Sequence, residues 1–231
     1  MKEKEFDKLI QKLSKCQKCL NMKNRNGNDC SLINFYKDDI AKNIPSIWTD
    51  WYNRLDSKIM IVGQDWGPYV DMEKFHLEYK KDESVDNWKK LIEEEKSLTK
   101  KMLEKYLNGS SGNNINLDDI FITNAIMCAR SGNNYRGDNI KLKESTINCM
   151  HFLKRQIEIV KPRIILTLGY FPLLSLSRIL DFTIEDNLSK TIAKIDVIKK
   201  DRYIIIPLYH PTAQISKENQ LKQYSKIWKF L

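Results

Sequence analysis

Four short apolar runs punctuate this chain of 231 residues: KIMIVG at 58–63, DIFITN at 119–124, RIILTLG at 163–169 and YIIIPLYH at 203–210. Each is nearly continuous and rich in β-branched residues, the pattern of strands covered on both faces rather than one. Such strands belong to parallel sheets, and parallel strands need a crossover between them. Helical segments are available for that purpose. Residues 84–107 place Val85, Trp88, Leu91, Ile92, Met102, Leu103, Tyr106 and Leu107 on one stripe at helical spacing, and Asn108-Gly109 ends it. Residues 145–161 carry Cys149, Phe152, Leu153, Gln156, Ile157 and Val160 on a second stripe, stopped by Pro162. The alternation predicts an α/β fold, a three-layer α/β/α sandwich with a central four-stranded parallel sheet, built as a single domain over 1–231.

The remaining composition sets the class. Hydrophobic residues make up 42%, enough for a core, and no apolar run is long enough to span a bilayer. The charged N-terminus, MKEKEFDKLIQKLSK, lacks the apolar stretch of a secretory leader, so the expectation is a cytoplasmic protein with no membrane partner. In that compartment five cysteines stay reduced and do not form a disulfide framework. The net charge of +9 is uneven. Residues 119–231 hold 18 Lys and Arg against 10 Asp and Glu, whereas 58–118 hold 10 against 12. A basic half suits neutralisation of phosphates, and a solvated lysine-rich surface produces the same count. The acidic stretch is expected to point away from phosphate.

The polar residues fall at particular places on this scaffold. Gly63-Gln64-Asp65-Trp66-Gly67 follows the first strand, Asn124 ends the second, Gly169 the third, and His210-Pro211 the fourth. All lie at strand C-termini, the edge where open α/β sheets form a ligand crevice. Asp65, in a Gly-flanked turn, is a candidate to position or activate water, although Asp in such a turn often serves only the backbone. His210, unlike His76 and His151, lies at a strand end, where it can donate to a leaving group that becomes anionic. Asn124 offers a donor and an acceptor together, the pair that reads a pyrimidine edge; as an alternative it caps a turn.

The cysteines form a second constellation. Cys16-x-x-Cys19 is spaced for one metal or cluster, Cys128 follows Asn124 by four residues, and Cys149 lies on the next helical stripe. Four thiolates from separate segments suit a [4Fe–4S] cluster or a structural zinc. Cys30 is the spare, and the CxxC pair together with Cys30 is the alternative ligand set.

The order CxxCL, GQDWG after a strand, ITNAIMC, a further Cys, PRIILTLG and finally HPT resembles the uracil-DNA glycosylase superfamily, most of all its iron–sulfur (family 4) branch. The resemblance spans most of 14–215. It implies that Cys16, Cys19, Cys128 and Cys149 hold a [4Fe–4S] cluster, that Asn124 reads the base, and that His210 faces its O2. The first motif departs from the branch's G-E-A-P-G. Gln64-Asp65 is similar instead to the G-Q-D-P-Y of the main uracil-DNA glycosylases, which makes Asp65 the water-positioning carboxylate and places Gln64 at the base. The stretch that supplies the family's base-stacking aromatic is missing, leaving Phe75 as first choice and Tyr69 and Tyr79 as alternatives. The resemblance further marks 1–57 as a cysteine-bearing arm and 71–118 as a helical insertion. It makes Ile215 a candidate wedge into the duplex and Lys217 a phosphate contact; Arg130 and Arg136, in the Gly/Asn-rich loop after Cys128, are further phosphate candidates.

What this implies is a monomeric N-glycosylase that flips uracil, or another modified base, out of DNA and hydrolyses its glycosidic bond. A non-catalytic iron–sulfur or zinc nucleic-acid-binding module is the reading from a different class.

Overall fold

A computed structural model describes residues 1–23, 27, 30–36, 49–94, 97–109, 115–131 and 139–231. Its main sheet contains β2 (Ile59–Gly63), β3 (Ile120–Asn124), β5 (Ile164–Leu168), β7 (Tyr203–Leu208) and β6 (Ile198–Lys200), in the order β3-β2-β5-β7-β6. The four strands expected from the sequence are mutually parallel, with Gly63 opposite Asn124 and Thr167 opposite Pro207. The expected four-stranded sheet gains a fifth member. β6 pairs antiparallel with β7 through a tight connection in which Asp201 takes a positive φ. Three residues, two of them lysines, left no apolar run to mark it.

Alternation within each strand sends side chains to two separate cores. Met60, Val62, Phe121, Ile165 and Ile205 face one cluster, which also contains Phe6, Leu9, Ile10 and Leu13 of α1 (Lys2–Ser14) and Phe152, Leu153 and Ile157 of α5 (Asn139–Val160). Ile59, Ile61, Ile122, Leu166 and Ile206 face the other, with Leu103, Tyr106 and Leu107 of α4 (Leu98–Asn108) and Tyr224 of α8 (Lys217–Tyr224). The result is the three-layer arrangement. The segment preceding the first long strand is part of this packing: Trp51 is fully buried, stacks on Phe121 and donates its indole N–H to the Ile122 carbonyl at 2.8 Å.

Two helix expectations need adjustment. The single stripe expected over 84–107 is divided into α3 (Val85–Glu94) and α4, because the Ser97 hydroxyl accepts from Lys100 N–H and starts a new helix. The helix expected over 145–161 begins earlier, at Asn139, and stops at Val160 before Pro162. Between β2 and α3 runs α2 (Tyr69–Tyr79). A small separate ladder joins β1 (Leu32–Ile33) to β4 (Ala129–Arg130), with Leu32 opposite Arg130. Helices α6 (Tyr170–Leu180) and α7 (Leu188–Lys194) complete the connection from β5 to β6. No described helix is long and apolar enough to cross a membrane.

Candidate active site

The strand C-termini open onto a cleft of about 1130 Å³ lined by Gln64, Asp65, Phe75, Asn124, Arg130, Gly169 and His210, among others. Several segments far apart in sequence therefore deliver their polar groups to one place. Asn124 reaches it from the last position of β3 and is 5% exposed. Its Oδ1 occupies the space that a Cβ on Gly63, the opposing residue, would need. Glycine at 63 is thus what allows the amide to lie across the end of β2. The Asn124 amide makes no hydrogen bond to the described residues, so a buried donor and acceptor are left for a ligand.

Asp65 is held from several sides. Its Oδ1 accepts from Gly67 N–H at 2.8 Å and from Arg130 Nε at 3.2 Å, and its Oδ2 accepts from the Gln64 amide at 3.0 Å. The first bond is a turn closed by an aspartate, made possible by the positive φ of Gly67. The local role leaves room for a chemical one, since Oδ2 keeps a lone pair that no described residue uses. The following residue, Trp66, is turned so that its indole N–H donates to Tyr36 OH at 2.9 Å.

His210 leaves β7 beside this group. The Thr212 N–H donates to its Nδ1 at 3.4 Å, and Thr212 Oγ1 lies 2.9 Å from the same nitrogen. An accepting Nδ1 leaves the proton of the neutral ring on Nε2. Burial pushes the imidazole below its ordinary pKa, and the nearby Asp65 charge opposes that only in part. The ring is therefore neutral at pH 7 and retains one N–H to donate. Its backbone is fixed by Gln220 of α8, whose amide donates to the His210 carbonyl at 2.9 Å. Nothing in the sequence marks Gln220, because its role exists only once α8 folds back against β7.

Phe75 projects from α2 into the cleft wall and stacks on Tyr79 at a centroid distance of 6.2 Å. Tyr69 instead packs against the main core. The acidic stretch does not point away from the site. Asp71, Glu78 and Glu94 line the same cleft together with Lys74, because α2, α3 and α4 form its far wall. Ile215 is half-buried and Lys217 exposed on the segment leaving the His210 edge, where Ser216 caps α8. Arg130 is engaged by Asp65, and Arg136 lies outside the described residues.

Cys16, Cys19, Cys128 and Cys149 line a second, smaller cavity, while Cys30 is buried outside it. Asn34, which no motif flagged, shapes this pocket by donating to the Leu13 and Cys16 carbonyls at 2.8 Å each. The Cys149 thiol donates to Cys19, which with help from Asn148 draws Cys19 down to about 6, and burial pushes Cys128 up to about 12. Without a cation the pocket therefore favours the thiolate at Cys19 and resists it at Cys128 and Cys149. Among the described residues no three His, Cys, Asp or Glu side chains converge as a single metal ion requires.

A type-4 uracil-DNA glycosylase of Saccharolobus solfataricus is 30% identical over 117 residues, which is half of this chain and half of that protein. The family model described as the uracil DNA glycosylase superfamily matches residues 49–231, a span that holds Asp65, Asn124 and His210 but not the Cys16–Cys19 pair. With a match over most of its length, and with the sheet and cleft described above, the chain belongs to the uracil DNA glycosylase superfamily.

Proposed function

We propose that this protein is a DNA glycosylase that excises uracil from DNA. The observation carrying this reading is the buried amide of Asn124 at the sheet edge, unpaired among the described residues, in one cleft with Asp65 and His210. A flipped uracil presents O4 to the amide N–H and its own N3–H to Oδ1. Cytosine presents the reverse pattern and leaves buried polar groups unpaired, at a cost of roughly 1–3 kcal/mol each. Phe75 supplies an aromatic surface for the base, and Gln64, tied to Asp65, borders it.

Cleavage of the glycosidic bond leaves positive charge on the sugar and negative charge on the base. The Asp65 carboxylate stabilises the first and uses its spare Oδ2 lone pair to aim water at C1′. The Nε2–H of His210 stabilises the second by donating to O2 of the departing base, without needing a charged imidazolium. The basic residues of the later half, Lys217 among them, contact phosphate, and Ile215 enters the gap left by the flipped base.

Cys16, Cys19, Cys128 and Cys149 would hold a [4Fe–4S] cluster, whose contribution is structural: it ties the N-terminal segment to the chain around β4. Four thiols lining one cavity suit a cluster with an iron at each corner, with one tetrahedral zinc as the alternative. Protein purified anaerobically is expected to be brown, with broad absorbance near ~400 nm and iron and sulfide in equal amounts. A colourless protein containing zinc overturns the cluster assignment.

The glycosylase reading is tested on a panel of single- and double-stranded DNAs carrying uracil or other altered bases. Alkali-labile breaks at uracil are the expected result. Breaks at another base alone replace the substrate, and binding without any breaks supports the non-catalytic module.

A further inference from the structure

Among the candidate phosphate contacts, Arg130 is placed unlike Lys217. Its guanidinium is only 20% exposed and its Nε lies 3.2 Å from Asp65 Oδ1, a carboxylate whose side chain is itself 5% exposed. We infer that Arg130 is a positioning residue for glycosidic cleavage, acting through Asp65 rather than through the DNA backbone. The assignment rests on the glycosylase reading of this cleft.

The geometry around the pair is built for that role. Arg130 N–H donates to the Gly67 carbonyl at 2.9 Å, while Gly67 N–H donates to Asp65 Oδ1 at 2.8 Å. One residue of the Asp65 turn therefore holds the carboxylate and the backbone that carries its cationic partner. Pro68 bridges to Arg130 on the same side, and β4 is fixed on its other edge by Leu32. Leu32 N–H in turn donates to the Cys19 carbonyl at 2.9 Å, so the ladder that bears Arg130 is anchored next to the thiol pocket. A backbone fixed on both sides gives the guanidinium little freedom to leave Asp65 for a phosphate.

The consequence for the reaction is orientation and charge. Oδ1 is saturated by two donors, and among the described residues Oδ2 receives only the Gln64 amide. The pair thus fixes the Asp65 carboxylate in a mostly buried position with a cationic partner on Oδ1, leaving the other oxygen for water and the cationic sugar. Lysine at 130 would keep the charge but lose the planar donor geometry.

The test is a double-mutant cycle on full-length protein. Single-turnover excision and DNA affinity at several salt concentrations are measured for wild type, Arg130→Ala, Arg130→Lys, Asp65→Asn and Arg130→Ala with Asp65→Asn. Arg130→Ala is expected to slow excision about 100-fold, with Kd changed less than about threefold and the salt dependence of binding unaltered. Arg130→Lys should recover part of that rate. The double variant should be no more than about threefold slower than Asp65→Asn, because the charged carboxylate through which Arg130 acts is already gone. Multiplying losses, or a weaker Kd with a salt slope reduced by about 0.9, overturn the assignment and restore a phosphate contact. If Arg130→Ala fails to fold, Arg130→Gln carries the same comparison. A wild-type protein that cuts no base is a separate result, which overturns the glycosylase reading and this assignment together.

Discussion

Asp65→Asn is expected to slow base excision by about 10²–10³-fold while leaving DNA affinity within about threefold of wild type. The substitution keeps the shape and the Oδ1 acceptor used by Gly67 and Arg130, so the turn survives. It removes the negative charge that faces the developing sugar cation, and it replaces the Oδ2 acceptor with an N–H pointed at the Gln64 amide donor. The loss corresponds to about 3–4 kcal/mol of barrier, a typical contribution from one well-placed electrostatic group in a dry site. It should appear in kcat, or in a single-turnover rate at saturating enzyme, and not in KM. An unchanged rate would remove Asp65 from the chemistry and leave it a turn residue.

Asn124→Asp should change which base is taken. A carboxyl at this position is buried at the end of β3 against Gly63, where the neutral form is favoured. A protonated acid donates to N3 of cytosine and accepts from its amino group, the reverse of what the amide offers uracil. Uracil excision is expected to fall about 100-fold or more, and cytosine excision to rise above the wild-type level. Competition assays with matched single-stranded substrates separate a changed preference from a general loss of activity. The same ratio of uracil to cytosine excision in wild type and variant would contradict base readout by Asn124.

The contrast between these two residues and their supports explains what the sequence could reveal. Asp65, Asn124 and His210 were legible because each closes an apolar run, and the end of a buried parallel strand has a fixed place in the fold. The strands themselves were legible for the same reason: Ile164–Leu168, buried throughout, is apolar but for one threonine. β6 was not, since an edge strand of three residues needs only Ile198 to face the core. The supports were harder still. Arg130 meets Asp65 across 65 residues of sequence, and Gln220 reaches the His210 carbonyl only through the return of α8. Basic charge marked Arg130 as a phosphate contact, a property every surface arginine shares, whereas the ion pair depends on the β1–β4 ladder.

The charge balance misled in one respect for a physical reason. Net charge over 58–118 describes a segment, but α2, α3 and α4 turn particular side chains toward the cleft and others toward solvent. Asp71, Glu78 and Glu94 reach the cleft wall although their helices also carry many exposed charges. Where a helix points its stripe is set by packing, which a sum over residues does not encode.

The central claim is that this cleft removes uracil from DNA, and it is tested most directly by detecting the free base. Purified protein is incubated with an oligonucleotide carrying one uracil, and the low-mass products are identified by mass spectrometry alongside an alkali-cleavage gel. Free uracil and an alkali-labile site in equal amounts are the expected result. Intact oligonucleotide with no released base, from protein shown to be folded and to bind that DNA, would contradict it.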